Sequence, residues 1–405
     1  MLSRPTYAPG MPLRTFASSA VIAISALVLA LVYGGPAGLG LAAVLGILEI
    51  SLSFDNAVVN ATVLQRMDAF WQKVFLTVGM VIAVLGMRLV FPMLIVGVTA
   101  HLTPAKALRL ALKGGSQHTP GTYAYLLHDA HPAIAAFGAV FLMSLFLDFV
   151  FEDREVKWLY FLEKPLVRIG RVPQLSTVVA LGSGCLAAYL LAPQGKVATV
   201  LVAGALGLIS YILLNALGEV FETDDEEGSP TEGSKTGGSP VGIHGAAVQV
   251  AAAGSGSPIV ATGKAALMLF IYLEVLDSSF SFDGVIGAFA ITSDPIIIAL
   301  GLGIGAIFIR SLTVFLVRQG ALAQYVYLEH GAHWAIGALA VILLLSVRFE
   351  VPDVVTGLIG VGFIGAAFVS SVIRNRRNRN HRRRNRRKGK HQSKDLITAT
   401  ESEGS

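Results

Sequence analysis

Hydrophobic positions in this chain form long continuous stretches instead of alternating with polar ones. Several stretches exceed the roughly 18 to 20 apolar residues that a helix needs to cross a bilayer. The pattern predicts an all-α polytopic membrane protein with about nine or ten transmembrane helices. The candidate spans are residues 17–33, 37–64, 74–98, 134–151, 176–191, 197–217, 265–291, 295–317, 332–347 and 354–373.

Composition agrees with this pattern. Hydrophobic residues make up 54% of the 405 residues and charged residues only 14%, whereas soluble domains carry about 25% charge. The single cysteine, Cys185, excludes an intramolecular disulfide and a cysteine metal cluster. Because further spans follow the first one directly, we interpret it as a retained helix and not as a cleaved signal peptide.

Polar segments divide the chain into five parts. Residues 1–16 form an N-terminal segment, and residues 17–221 form a first transmembrane half. Residues 222–263 are acidic and then rich in Gly and Ser, a composition that cannot bury a core, so we predict a disordered linker. Residues 264–373 form a second transmembrane half, and residues 374–405 form a polybasic tail.

The basic tail sets the expected orientation. Lys and Arg next to a span favour the cytoplasmic side, so an even number of spans puts both termini in the cytoplasm, and we expect a bacterial plasma membrane. The basic loop Glu152–Arg171 falls on the same side, but the loop with Arg109 falls outside, against this rule. The tail would also bind anionic lipids. It has no aromatic residues for bases to stack on, so we do not expect nucleic-acid binding. A homo-oligomer is left open.

The two halves carry similar acidic motifs inside their apolar runs. The first reads EISLSFDN from Glu49 to Asn56, and the second reads DSSFSFDG from Asp277 to Gly284. An acid, a serine, a phenylalanine and an aspartate recur at the same offsets, which indicates an internal repeat. The two segments offer as candidate oxygen donors the carboxylates of Glu49, Asp55, Glu274, Asp277 and Asp283, the Asn56 amide, and the hydroxyls of Ser51, Ser53, Ser279 and Ser281, with Ser53 and Ser281 as supporting residues.

Acids in a membrane helix need compensation, because each ionised one costs roughly 2.5 to 3.5 kcal/mol near the bilayer centre. Protonation, a basic partner or a bound cation could supply it. Arg88 and Arg310 each lie one helix after a motif, but two arginines cannot neutralise five acids. The excess favours bound protons or a cation. A ligand set made only of oxygens suits Mg²⁺, Ca²⁺ or Mn²⁺.

Helical geometry limits how these acids can meet. A straight helix cannot bring all acids of one motif to the same face, so we predict unwinding or a kink in the Ser- and Gly-rich segment Ser278–Gly287. The motif helices are the second and the seventh, so they cross the membrane in opposite directions. This predicts an inverted-topology repeat with an ion site near the midplane.

At these motifs the sequence resembles the TerC family of integral membrane proteins, which is associated with tellurium resistance and manganese export. The first half carries the family pattern as LEISLSFDNAVV, and the second carries AFAITSDP and IFIRSLTVFL after its acids. Where the family commonly has Asp-Ser-Ile-Pro, this chain has DGVI from Asp283. The resemblance implies that the ion is Mn²⁺. It further implies as ligands Glu49, Asp55, Asn56, Glu274, Asp277 and Asp283.

We therefore expect a secondary transporter that exports a divalent cation by alternating access. A membrane scaffold that binds metal without net transport is the alternative. The chain has no zinc-protease helix, nucleophile elbow or Walker loop, so we do not expect an enzyme. Asp148, within FLMSLFLDFVFED, is a candidate for the ion pathway. The loop 101–131 contains His101, His118, His128, Asp129 and His131, and the spacing in HDAH could bind a metal, although loop histidines are more often solvent-exposed or hydrogen-bonded.

Overall fold

A computed structural model describes most of the chain. The described residues are 11–90, 93–94, 96–97, 100–154, 156–226, 260–292, 294–318 and 324–402. They fold into helices, and the β-type pairing among them is a single bridge between Met67 and Ala261. The prediction of an all-α protein is confirmed.

The helices follow one another with short connections. In chain order they are α1 (Met11–Leu52), α2 (Phe54–Leu64), α3 (Ala69–Val81), a π-helix (Ile82–Val90), α4 (Pro104–Lys113), α5 (Tyr123–Phe151), α6 (Tyr160–Ile169), α7 (Leu175–Leu191), α8 (Val197–Glu226), α9 (Gly263–Ile291), α10 (Pro295–Arg318), α11 (Leu328–Ser346) and α12 (Asp353–Ser402).

Among the described residues, seven helices are long and apolar enough to cross a membrane. They are Ser19–Leu52, Ala69–Gly86, Tyr123–Phe151, Val197–Ala216, Pro295–Val317, Leu328–Ser346 and Val354–Asn378. The apolar helix α7 is shorter, and α9, which holds the second motif, has 29 residues. The protein is therefore an integral membrane protein with many spans.

Helix α1 is a hairpin that accounts for the first predicted span and most of the second. Its backbone leaves the helical region at Gly35, with φ 64° and ψ −161°, a conformation that glycine adopts without strain. Ser19 in the first arm bonds to Ser311 of α10. In the second arm, a Cβ on Gly46 would lie 3.3 Å from the carbonyl oxygen of Gly301, also in α10. Both arms thus pack on one helix, because the chain reverses at Gly35.

The two motif helices run antiparallel. Near the middle of the bundle, Glu49 lies against Gly284. At the far end, Met67 after α2 pairs with Ala261 before α9. Residue numbers thus rise along one helix as they fall along the other, which agrees with the predicted opposite directions.

The predicted unwinding of Ser278–Gly287 is wrong, because α9 is helical without interruption from Gly263 to Ile291. The break lies in the first motif instead. Ser53 separates α1 from α2, with φ −100° and ψ 12°. Glycine at position 284 leaves room for Glu49 beside α9, whose helical conformation is uninterrupted there.

The third span changes its winding along its length. It begins as α3 and continues as the π-helix Ile82–Val90. A π-helix of this length is rare, and such segments occur frequently at functional sites. Arg88 belongs to this segment, but its side chain lies outside the described residues.

The polar segments differ from their predicted bounds. Helix α1 begins at Met11, inside the predicted N-terminal segment. Helix α8 continues to Glu226, and Ala261 exchanges backbone hydrogen bonds with residues 66 and 68. The predicted linker 222–263 is therefore too long at both ends, and residues 227–259 lie outside the description. The basic tail continues α12 as helix to Ser402.

Candidate functional site

Glu49 is the acid through which the first motif meets the second half. Only 1% of its surface is exposed. The hydroxyl of Ser53, one turn later, donates a 2.8 Å hydrogen bond to Glu49 Oε1. On the other side, a Cβ on Gly284 would lie 2.8 Å from Glu49 Oε2, and a Cβ on Gly305 would overlap Glu49 Cγ. The carboxylate therefore occupies space that α9 and α10 provide through two glycines.

Helix α2 adds buried amides beside the break. Asn56 is buried two residues into the helix, as is Asn60 one turn further on. The Oδ1 atom of Asn60 has no hydrogen-bond partner among the described residues. Sequence reasoning missed Asn60, although its i+4 spacing from Asn56 on an apolar helix was visible in DNAVVN.

Several predicted ligands have described backbones but side chains outside the description. Asp55 lies in α2 directly before Asn56, and Asp283 lies in α9 directly before Gly284. Ser281 likewise has a described backbone in α9, and its side chain lies outside the description. In the chain, Asp55 is therefore next to the buried Asn56, and Asp283 is next to Gly284, which lies against Glu49.

Arg310 binds the upstream acids of the second motif. Its Nη2 atom donates to Glu274 at 3.2 and 3.4 Å and lies 3.8 Å from Asp277 Oδ2. Its Nη1 atom donates to the carbonyl oxygen of Phe75 at 2.8 Å, and the guanidinium lies 4.1 Å from the centre of the Phe75 ring. Gly79 leaves room for the pair, since a Cβ there would lie 2.6 Å from Glu274 Oε1. Arg310 therefore supplies a basic partner to two of the five acids, which was one of the three compensators considered from the sequence.

The Glu49 surroundings and the Arg310 group lie at different depths. On α10, Gly305 and Arg310 are five residues apart, which is about 7.5 Å along the axis. On α9, Asp277 and Gly284 are seven residues apart, or about 10.5 Å. The Arg310 group lies toward the α2–α9 bridge at Met67, and Glu49 lies nearer to the α1 hairpin turn.

A cavity of about 420 Å³ opens beside Glu49 on the hairpin side. Leu48 and Gly287 line its inner part, adjacent in sequence to Glu49 and one turn beyond Gly284. His128, His131 and Glu350 are among its polar lining residues. The cavity therefore connects the predicted histidine loop with the neighbourhood of the first motif.

The histidine loop does not gather its four histidines. His101 and His118 are exposed, whereas His128 and His131 line the cavity. Among the side chains that the structure describes, no group of three or more His, Cys, Asp or Glu could hold a metal. The carboxylates of Asp55 and Asp283 are not among these described side chains.

Asp148 lies apart from the motif glutamate. It accepts a hydrogen bond from the hydroxyl of Tyr211, which joins α5 to α8. This gives Asp148 a structural partner, and its role in the ion pathway stays a prediction.

A second polar cluster, missed by sequence reasoning, holds the loop after α5. Arg154 is buried and bonds to Glu152 at 2.9 Å and to Glu329 at 3.0 Å. Burial raises the pKa of Glu152, and the Arg154 charge acts in the opposite direction. Glu163 accepts from the Trp334 indole at 3.2 Å. These bonds fix the loop to α11.

Comparison with family models gives one match. It covers residues 54–378 and carries the description "Protein of unknown function (DUF475)". The chain belongs to the DUF475 family. The matched region begins at the break before α2 and reaches into the basic part of α12. Comparisons with curated proteins and with solved structures give no match.

Proposed function

We propose that this DUF475 protein is a secondary transporter that exports a divalent metal cation. The observation that carries the proposal is the contact of Glu49 with Gly284, where two antiparallel acidic motifs meet inside the membrane. Buried acids in a membrane helix are costly and mark ion pathways. Motifs on antiparallel helices are typical of transporters whose site lies between inverted repeats.

The ligand chemistry supports a hard cation. The Glu49 carboxylate and the amides of Asn56 and Asn60 offer oxygen donors. Asp55 is next to Asn56 in the chain, and Asp283 is next to Gly284, which Glu49 contacts. Oxygen donors suit Mn²⁺, Mg²⁺ and Ca²⁺. We favour Mn²⁺ as substrate because the paired motifs resemble those of the TerC family.

Two features support alternating access. The cavity lined by Leu48 and Gly287 approaches the Glu49 surroundings from one side. On the other side, Arg310 holds Glu274 and Asp277 together. We propose that this ion-pair group closes the second route in the conformation described, and that Arg310 releases its acids when the transporter changes state.

The basic helix supports an orientation for this pathway. Val354 lines the cavity at the start of α12, and Arg374 lies 20 residues later, about 30 Å along a helix. That distance matches the thickness of the hydrocarbon core. With the arginines in the cytoplasm, both chain termini are cytoplasmic, and the cavity beside Glu49 opens on the outer side of a bacterial plasma membrane.

Flux measurements on purified protein in liposomes test the proposal. We expect Glu49→Gln, Asp55→Asn and Asp283→Asn each to lower Mn²⁺ flux at least about tenfold, which corresponds to 1.4 kcal/mol or more of lost ion stabilisation. Asp153→Asn is the matched control, because Asp153 is exposed and pairs with Lys157 in the loop after α5. Flux that survives all three motif substitutions contradicts the proposal.

A metal-binding scaffold without net transport is the second candidate. The observation in its favour is α12, which continues as helix from the membrane to Ser402 and presents a basic sequence to partners. Binding of Mn²⁺ by detergent-solubilised protein, with no flux in liposomes under any gradient, would support the scaffold. Glu49→Gln should then lower Mn²⁺ binding, with flux absent throughout.

A further inference from the structure

A second cavity, of about 550 Å³, lies between α2, α10, α11 and α12. Its wall is apolar and includes Phe54, Val58, Phe315, Leu328 and Phe368. The volume falls within the range of roughly 300 to 1,000 Å³ that is typical of small-molecule sites. It is separate from the cavity beside Glu49.

This apolar cavity borders the outer surface of the bundle. Val361 and Phe368 line it, and their side chains are 41% and 42% exposed. Because these residues belong to the membrane-spanning part of α12, the exposed surface there meets lipid chains. An apolar volume of this size is costly to leave empty, since its lining loses packing contacts.

The polar rim of the cavity joins the start of the basic tail. Gln324 lines the cavity, and Asn375 of α12 donates a 2.7 Å hydrogen bond to the Gln324 carbonyl oxygen. The guanidinium of Arg374 lies 5.2 Å from the centre of the Tyr327 ring. Arg376 and Arg377 follow and are exposed. Three arginines therefore lie within one helical turn of this rim.

We propose that the cavity holds an acyl chain of an anionic phospholipid whose headgroup lies at this rim, with Arg376 nearest to the lining face of α12 and with Arg374 and Arg377 adding positive charge. Guanidinium groups bind phosphate through paired hydrogen bonds, and basic residues next to a span attract anionic headgroups. A zwitterionic lipid would fill the cavity equally well but would gain less at the rim. The arginines at the rim would therefore favour an anionic headgroup, and the apolar wall of the cavity would hold the acyl chain.

The site adjoins the first motif without using its acids. Phe54 lines the cavity and is the first residue of α2, directly after the break at Ser53. A bound chain would therefore pack against the start of the helix that carries Asp55 and Asn56. The lipid site stands apart from ion transport, because its binding can be measured with no ion present.

Two glycines of α12 allow a matched test of the chain site. Gly365 lines the cavity, whereas Gly362 does not line it. A Cβ at either position would meet no atom within 4 Å, so both accept a side chain without a backbone clash. Gly365→Leu should fill the cavity, and Gly362→Leu adds the same side chain elsewhere on the helix.

Native mass spectrometry of protein exchanged into equal amounts of phosphatidylglycerol and phosphatidylcholine measures the retained lipid. We expect the unaltered chain and Gly362→Leu to retain phosphatidylglycerol, and Gly365→Leu to retain about fivefold less, as overpacking displaces the chain. Thermal unfolding midpoints check that both variants fold. Equal phosphatidylglycerol retention by Gly365→Leu and Gly362→Leu, or a second protein copy in place of lipid, overturns the proposal.

The headgroup is tested by the double variant Arg376→Gln, Arg377→Gln. It should keep a retained lipid but lose the preference for phosphatidylglycerol over phosphatidylcholine. Arg109→Gln is the control, because Arg109 is an exposed arginine of α4 away from this rim. If the unaltered protein retains both lipids equally, or if the double variant keeps the full preference, the arginines do not bind the headgroup and the proposal fails.

Discussion

At the scale of single residues, Gly284 is where the second motif meets Glu49 of the first motif. In the first motif the corresponding position holds Asn56, so the two copies already differ at the first offset after their shared aspartate. The difference has a steric cause. Glu49 Oε2 lies where a side chain at position 284 would begin.

Gly284→Ala should therefore change the site more than the fold. The atom that an alanine Cβ would meet, at 2.8 Å, is the far end of the Glu49 side chain, which can move by rotating. We expect near-normal stability but an apparent Mn²⁺ affinity about tenfold weaker, or roughly 1.4 kcal/mol. Ion-dependent flux and the thermal midpoint measure the two effects. An unchanged Mn²⁺ affinity would show that the Glu49 position does not affect ion binding.

Two serines of the first motif provide a second residue-scale prediction. Ser53 donates to the buried Glu49 carboxylate, whereas the exposed Ser51 hydroxyl donates to the Ile47 carbonyl oxygen at 2.9 Å. A hydrogen bond to a charged group contributes about 1.5 to 3 kcal/mol. Ser53→Ala should lower stability and Mn²⁺ flux, and Ser51→Ala should change neither measurably. Equal effects of the two substitutions on flux would contradict this assignment.

At the scale of elements, the two motif segments place their buried acids in different ways. The first motif is interrupted at Ser53, which separates α1 from α2. The second motif stays helical, and its upstream acids are instead gathered by Arg310 from α10. The halves resemble each other in sequence, but their motif segments are not equivalent in structure.

Replacing Arg310 should destabilise the bundle. Arg310→Met leaves Glu274 and Asp277 buried without their basic partner, a change that typically costs about 3 to 5 kcal/mol. Thermal unfolding in nanodiscs measures the loss. Adding Glu274→Gln should restore part of the midpoint, because one buried charge is then removed. If the double variant is no more stable than Arg310→Met, Arg310 does not stabilise the bundle by pairing with Glu274.

Part of this arrangement could be predicted from the sequence. Apolar runs predict the spans because membrane helices must be long and apolar, and repeated acids predict the antiparallel motif helices. The position of the helix break depends on packing between helices. Ser278–Gly287 has the composition of a kink, yet α9 is helical throughout this segment, and the helix break lies at Ser53 in the first motif. The choice of Arg310 as partner likewise depends on the open space at Gly79.

At the scale of the whole molecule, the proposed orientation can be tested with cysteines. Cys185 is the chain's single cysteine and is exposed, so a Cys185→Ser background leaves no native thiol. Thr356 lines the cavity beside Glu49, and Gln324 lies at the rim near the basic tail. A membrane-impermeant maleimide added to intact cells should label Thr356→Cys and not Gln324→Cys. Permeabilised cells should expose Gln324→Cys, and the reverse pattern would invert the topology.

The packing of α9 has a consequence for how the protein can be assembled. This helix belongs to the second half, but it contacts α5, α8 and the π-helix of the first half and pairs at Ala261 with the end of α2. The two halves are therefore joined by a large buried surface as well as by the peptide chain. A chain cut within residues 227–259, or two fragments expressed from separate messages, should reassemble in the membrane. The two halves would then associate in the membrane as the two chains of a heterodimer do.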